Sequence, residues 1–259
     1  MSMKVLAVLF GLTALSGFPL AAQDFSWHGK LATGKTVQIK GINGGISARS
    51  TTGSEVQVTA TKRAKRSDPS TVKIDVIQDE DGVTICAVYP SGNSSRPNSC
   101  SAGGHDHSDV RDNDVEVEFT VLVPAGVQFT GRTVNGGVQV DGLDADVRAY
   151  TVNGGINLST KGFAEAGTVN GGITATVGRG DWKDEAEFST VNGSVTVTLP
   201  ASLGAELEAS TVNGSIDSDF PLLVHGKISP RKINGTIGSG GRELKLTTVN
   251  GSIRLRKAA

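Results

Sequence analysis

Chemistry in this chain would have to start from a few polar clusters. His105-Asp106-His107 puts two imidazoles and a carboxylate within three residues, a donor set that suits zinc and similar metals. It stands alone. The other histidines, His28 and His225, are remote in sequence and nothing in the pattern brings them near. Neither a metal nor a cofactor is therefore expected. Cys86 and Cys100 are the only cysteines. In an exported chain such a pair favours a disulfide, which would close a loop of about 15 residues and contribute about 3 kcal/mol. Free thiols, or a metal pair with the nearby histidines, are the alternatives.

The acidic residues offer less. Asp141, Asp144 and Asp146 are close in sequence, as are Asp217 and Asp219. Enzymes that cleave polysaccharides place paired carboxylates across the scissile bond, and no such set recurs along the chain. There is no Gly-x-Ser-x-Gly elbow. Gly238-Ser239-Gly240-Gly241-Arg242 is glycine-rich but opens no helix, so it reads as a loop rather than a phosphate cradle. The chain is not expected to be an enzyme. Lys62-Arg63-Ala64-Lys65-Arg66 is a short basic run, read as a solvated strand end. With a formal net charge of -1, nothing steers the whole protein to nucleic acid.

Lys4, the apolar run Val5 to Leu15 and small residues at Ala21-Ala22 have the form of a signal peptide over residues 1–22. No later run is long and apolar enough to span a membrane. The expected protein is exported, to the periplasm or the cell surface, without an integral span in its mature part.

The element that must position everything else is a repeated pentapeptide. Thr-Val-Asn-Gly followed by Gly or Ser, or a close variant, occurs eight times. Its Asn-Gly pairs are Asn43-Gly44, Asn135-Gly136, Asn153-Gly154, Asn170-Gly171, Asn192-Gly193, Asn213-Gly214, Asn234-Gly235 and Asn250-Gly251. The seven later asparagines are spaced by 18, 17, 22, 21, 21 and 16 residues, a near-fixed period with slack for loops. Apolar residues alternate with polar ones on both sides, so the flanks are strands. The fold class is all-β. Asn-Gly could be the turn of serial hairpins in a sandwich or meander. A β-solenoid explains more, because the residues around Asn-Gly also recur and in-register stacking sets like on like. The solenoid reading makes each Asn-Gly a corner, with glycine supplying a positive φ. It turns the valines of the motif inward as a ladder, and sets the threonines outward as good β-formers on a wet face.

Residues 55–123 break the period with longer strands, and residues 90–113 are rich in Pro, Gly and Asn and read as loop. The expected organisation is a signal peptide (1–22), an N-terminal β region with the first motif copy and the disulfide loop (23–126), and the repeat solenoid (127–259). The last coil, ending Arg254-Leu255-Arg256-Lys257, is expected at an open edge protected by its charges.

The order of these features resembles the bacterial DUF4097 family. It runs from the signal segment to Ile42-Asn43-Gly44, the strand Val56 to Arg63, Ile85-Cys86-Ala87-Val88-Tyr89-Pro90, Val121-Leu122-Val123-Pro124-Ala125-Gly126 and then serial Thr-Val-Asn-Gly units. The resemblance implies an exported β-solenoid-like protein with an adhesin-like role and carries no catalytic residues. The expected function is a non-catalytic envelope module that binds a cell-surface polymer or an envelope protein. A ligand- or stress-responsive sensor and a polysaccharide-active enzyme are the alternatives.

Overall fold

A computed structural model describes residues 25–93, 95–103, 108–180, 182, 185–225 and 229–258. The signal segment and His105-Asp106-His107 lie outside the described residues. The chain opens with β1 (Phe25–Gly29), β2 (Thr36–Lys40), β3 (Ile46–Thr51), β4 (Val56–Arg63), β5 (Lys73–Asp79), β6 (Gly82–Val88) and β7 (Glu116–Pro124). The motif-bearing pairs follow: β8 (Gln128–Arg132) and β9 (Val138–Leu143), β10 (Val147–Tyr150) and β11 (Ile156–Thr160), β12 (Ala164–Gly167) and β13 (Ile173–Val177). Next come β14 (Ala186–Asn192) and β15 (Val195–Leu199), then β16 (Ala205–Asn213) and β17 (Ile216–Ser218). The chain closes with β18 (Leu222–Val224), β19 (Lys232–Ile237), β20 (Arg242–Asn250) and β21 (Ile253–Lys257). Among the described residues the only helix is the single 3-10 turn Pro69–Thr71.

These strands make two mostly parallel sheets, one of ten strands and one of eleven. Each motif-bearing coil crosses from the second sheet to the first through an Asn-Gly corner and returns on the far edge, as in β8 to β9 and β10 to β11. This is the flattened, β-solenoid-like stack that the repeat predicts. The period-two alternation aims every second side chain at the space between the sheets. There like sits on like: Ile156 lies between Val138 and Ile173, and Val195 between Ile173 and Ile253. The core is continuous from Val58 and Ile85 at one end to Leu207 and Ile237 at the other, with Phe119, Phe129 and Phe188 among its largest buried side chains. The sequence boundary at 126/127 falls between β7 and β8, and both sheets run across it.

Two expectations are corrected. The coils do not stack in chain order: the first sheet runs β13-β15-β21-β17 and the second β16-β20-β14. On leaving β15 the chain skips one rung, and the C-terminal pair β20–β21 fills that slot. β21 is therefore internal, between β15 and β17, and the open edge of its sheet is the three-residue β17. The basic residues still guard that edge. Arg256 holds Asp217 and Asp219, each at 2.8 Å.

The second correction concerns Asn234-Gly235, which is not a corner. It lies inside β19, antiparallel to β16 with Gly235 opposite Leu207, and β18 covers its other side. An antiparallel strand cannot continue the parallel register that a stacked corner requires, so the pentapeptide is absorbed into a sheet-covering hairpin.

Candidate binding edge

The remaining Asn-Gly pairs form one edge of the molecule. Their asparagine carboxamides make a single hydrogen-bonded file in stacking order. Asn213 donates to Asn250, Asn250 to Asn192, Asn192 to Asn170, Asn170 to Asn153, Asn153 to Asn135 and Asn135 to Asn43, at 2.7–2.9 Å. Asn43 ends the file by donating to the carbonyl of Asn113 at 3.4 Å. The corner glycine N–H bonds run the opposite way, as from the Gly136 N–H to the Asn153 carbonyl and from Gly193 to Asn250. A carboxamide has two N–H donors and two acceptor lone pairs. Each interior rung uses one of each along the file and turns the others to solvent.

The motif's neighbours are oriented opposite to the expected sense. Thr133, Thr151, Thr168, Thr190, Thr211 and Thr248 are buried to 7% exposure or less, while Val134, Val152, Val169, Val191, Val212 and Val249 are 36–54% exposed. The cause is a carbonyl that the corner leaves unpaired. Each threonine hydroxyl donates to the corner glycine carbonyl of the adjacent coil: Thr151 to Gly136 at 2.8 Å, Thr190 to Gly171 at 2.8 Å, Thr248 to Gly193 at 2.8 Å and Thr211 to Gly251 at 2.8 Å. A buried acceptor without a partner costs more than a valine left half exposed. The constant threonine two residues before six of the seven edge asparagines was the available signal.

Glycine is required at the corners for a reason other than the one expected. Only Gly44 among them has a positive φ, 112°. At the others a Cβ would collide with the neighbouring coil. It would lie 2.1 Å from the Gly136 carbonyl oxygen at Gly154, 2.0 Å from that of Gly154 at Gly171, and 1.9 Å from that of Gly193 at Gly251.

The next motif position divides the edge in two. In stacking order it reads Gly45, Gly137, Gly155, Gly172 and then Ser194, Ser252, Ser215. The four glycines floor a shallow groove of about 400 Å³, flanked by Ser47, Gln139 and Asn157, with Glu118 at its N-terminal end. The serines fill the corresponding strip further along, where the Ser215 and Ser252 hydroxyls lie 3.3 Å apart.

One coil at the N-terminal end has an expanded corner. β6 and β7 lie parallel to β2 and β3 and continue the stack, but residues 89–115 replace the pentapeptide. Within that excursion Cys86 and Cys100 form a disulfide. Tyr89 is buried, and its hydroxyl donates to the Val115 carbonyl at 2.8 Å and lies 3.2 Å from that of Asn43. Burial pushes the Tyr89 phenol up to about 12, so it remains a neutral donor near neutral pH. Lys40 extends its ammonium to the Ser101 carbonyl at 2.7 Å, and Asn98 ties Tyr89 to Asp109.

Of the acidic candidates, Asp217 and Asp219 are both taken up by Arg256, and Asp141, Asp144 and Asp146 do not converge. Asp141 accepts from Gln139, Asp144 pairs with Lys161 at 3.1 Å, and Asp146 accepts from the Phe163 N–H. On the other sheet Glu185, Glu206, Glu208 and Glu243 line an open hollow. Lys245 pairs with Glu185 and Lys232 with Glu208, and the charge of Glu187, then that of Glu185, raises the Lys245 pKa. His225 and Glu206 both contact the Thr236 hydroxyl, whose proton goes to the carboxylate, so the imidazole is the donor there. Among the described residues no group of three or more His, Cys, Asp or Glu is placed to hold a metal ion, and no helix is long and apolar enough to cross a membrane.

Comparison with known proteins agrees with this architecture. No curated protein matches the chain. A candidate cell adhesion protein of Clostridium sporogenes has the same fold at 12% identity, with a TM-score of 0.50 over 90% of this chain and 99% of its own. A candidate adhesin of Bacteroides fragilis aligns over 89% of this chain and 96% of its own at 12% identity, with a TM-score of 0.33. The Toastrack DUF4097 family profile matches residues 99–256. The chain belongs to the Toastrack DUF4097 family.

Proposed function

We propose that this protein is an exported, non-catalytic binding module that contacts an extended, hydroxyl-rich polymer of a cell surface along its asparagine edge. The observation that carries this reading is the periodic edge itself. It presents a file of carboxamides, each with an outward donor and acceptor, between a stripe of exposed valines and a glycine-floored groove. Successive rungs of a parallel sheet are about 4.8 Å apart, so the four-glycine groove extends roughly 15 Å. Hydroxyl groups both donate and accept, which matches what each rung offers, and the valines give the ring C–H faces of a sugar an apolar surface. Export is supported by the leader-like segment at residues 1–22 and by the disulfide, since disulfides persist in oxidising compartments.

The test is binding of the mature chain to an array of bacterial and host-surface polysaccharides, with Gly155→Leu as the comparison. The Gly155 Cβ position is 3.4 Å from its nearest heavy atom, so a side chain fits there and occupies the groove. Retention of one polysaccharide class by the native protein, lost in Gly155→Leu at unchanged melting temperature, is expected. Equal retention by both proteins would remove the groove from the binding surface. Turnover of any polysaccharide on the array would overturn the non-catalytic reading.

A further inference from the structure

Asn-Gly is the dipeptide most prone to spontaneous deamidation, because glycine leaves its backbone nitrogen open to attack the asparagine carboxamide. Eight such dipeptides in one chain would be eight liabilities. The stack protects nearly all of them. The N–H groups of Gly44, Gly136, Gly154, Gly171, Gly193 and Gly251 each donate to the asparagine carbonyl of an adjacent coil at 2.8–3.0 Å. Their asparagine carboxamides are held from both sides, as Asn153 is by Asn135 and Asn170. Gly235 is buried within β19, between two antiparallel neighbours.

Asn213-Gly214 differs in three independent ways. It is the last corner of the stack, and the Gly214 N–H has no hydrogen-bond partner among the described residues. The Asn213 carboxamide donates to Asn250 but accepts from no neighbour among the described residues, so among these it is held from one side only. Gly214 is exposed where the other corner glycines are half-buried or buried, and Val212 is the most exposed valine of its stripe.

We infer that Asn213 is a self-modifying site, converted to aspartate and isoaspartate while the other Asn-Gly pairs stay intact. The Gly214 nitrogen loses its proton to solvent base and bonds to Asn213 Cγ. The Cγ–Nδ2 bond breaks and the side-chain nitrogen leaves as ammonia. One water then opens the resulting succinimide at either carbonyl. The net change is asparagine plus water to an aspartyl or isoaspartyl residue plus ammonia. The product carboxylate faces Asn250 Oδ1 with lone pairs where an N–H had been. The isoaspartyl form also adds a backbone atom to a corner whose register is set by the Gly251 N–H to Asn213 carbonyl bond. Conversion therefore loosens the terminal coil.

The experiment incubates the mature protein in mildly alkaline buffer and follows each Asn-Gly peptide by mass spectrometry, with an identical incubation in denaturant. Folded protein is expected to convert Asn213 at least about tenfold faster than Asn153 or Asn170, the ratio that one retained backbone hydrogen bond supplies. In denaturant the sites should convert at similar rates. Comparable rates at Asn213 and the interior corners of the folded protein would overturn the inference, as would a lead for Asn213 that persists in denaturant. Hydrogen exchange of the converted protein should quicken at Ile216–Ser218 and stay unchanged at Ile173–Val177. Unchanged exchange at both would overturn the loosening of the end.

Discussion

The molecule turns from one sheet to the other in two ways along the same edge. Between β2 and β3 the turn takes residues 41–45, and a glycine Cα comes so close to the next coil that there is no space for a side chain. Between β6 and β7, one rung away, the turn takes residues 89–115 and is held by a disulfide, a buried tyrosine and side-chain-to-backbone bonds. Both connect parallel strands in the same pair of sheets. A tight corner is held by its neighbours above and below, so its geometry is collective and admits no insertion. The expanded corner sits where the stack stops repeating and needs its own cross-links. Long excursions at an end cost little, because loop-closure entropy grows only logarithmically with length.

The largest expected effect comes from violating the tight corner. Gly171→Val sets a branched side chain where even Cβ would be 2.0 Å from the Gly154 carbonyl oxygen. The loss expected in urea denaturation is at least about 3 kcal/mol, at the upper range of overpacking effects. Gly235→Ala alters the same dipeptide in a strand, where Cβ would be 2.9 Å from the Leu223 carbonyl oxygen, and should cost clearly less. Equal losses would mean that stacking is not what sets the corner apart. At the expanded corner the corresponding lesion is removal of the Cys86–Cys100 bond, which closes a loop with a sequence separation of 14. Its loss should cost about 3 kcal/mol, with faster hydrogen exchange confined to residues 89–115 and their immediate contacts. Equally faster exchange at Ile173–Val177 would show that the two corners are not independent.

A middle-sized effect distinguishes the two side chains of the motif. Thr190→Val keeps the shape but leaves the Gly171 carbonyl without its hydroxyl donor, at a cost of about 1–3 kcal/mol. Val191→Thr and Val212→Asp lie on the exposed stripe and should fall within about 0.5 kcal/mol of the native protein. Tolerance of Thr190→Val together with collapse of Val212→Asp would restore the inward-valine arrangement.

That reversal marks how far the sequence could be read. Period-two alternation and the pentapeptide were enough for an all-β stack and for Asn135, Asn153 and Asn170 as successive rungs, and two lone cysteines in a chain read as exported were enough to favour their pairing. They could not show which motif residue turns inward, because alternation is interrupted at a corner and the deciding quantity is an unpaired glycine carbonyl of another coil. Nor could they show that Asn234 would leave the ladder or that β20–β21 would fill an earlier slot. Local sequence is identical whether a coil is stacked in order or inserted, and only the antiparallel cover of β18–β19 on β16 makes the difference. The Gly/Ser division was visible in the sequence, but its meaning as a groove depends on the stacking order.

The smallest expected effect tests the anchoring of the expanded corner. Asp114 lies just before β7, and its carboxylate accepts from the Ser67 N–H at 2.8 Å and the Arg66 N–H at 3.1 Å. These bonds, the Ser67 backbone one first and the Ser67 side chain next, hold its pKa down to about 2 from the ordinary 3.8. A carboxyl depressed on folding contributes stability that is present above its unfolded pKa and is lost as pH falls through the folded one. The window here runs from about pH 4 to about pH 2. Asp114 is half-buried and still reached by solvent, which screens its bonds, so the effect on global stability is small and the readout should be local. Carboxyl titration by NMR should place Asp114 below the ordinary aspartate value, and Ser67→Ala should raise it. If Asp114 titrates at its ordinary value, the link between residues 66–67 and the start of β7 is not formed in solution. The expanded corner would then rest on its disulfide, on Tyr89 and on the Lys40 and Asn98 bonds.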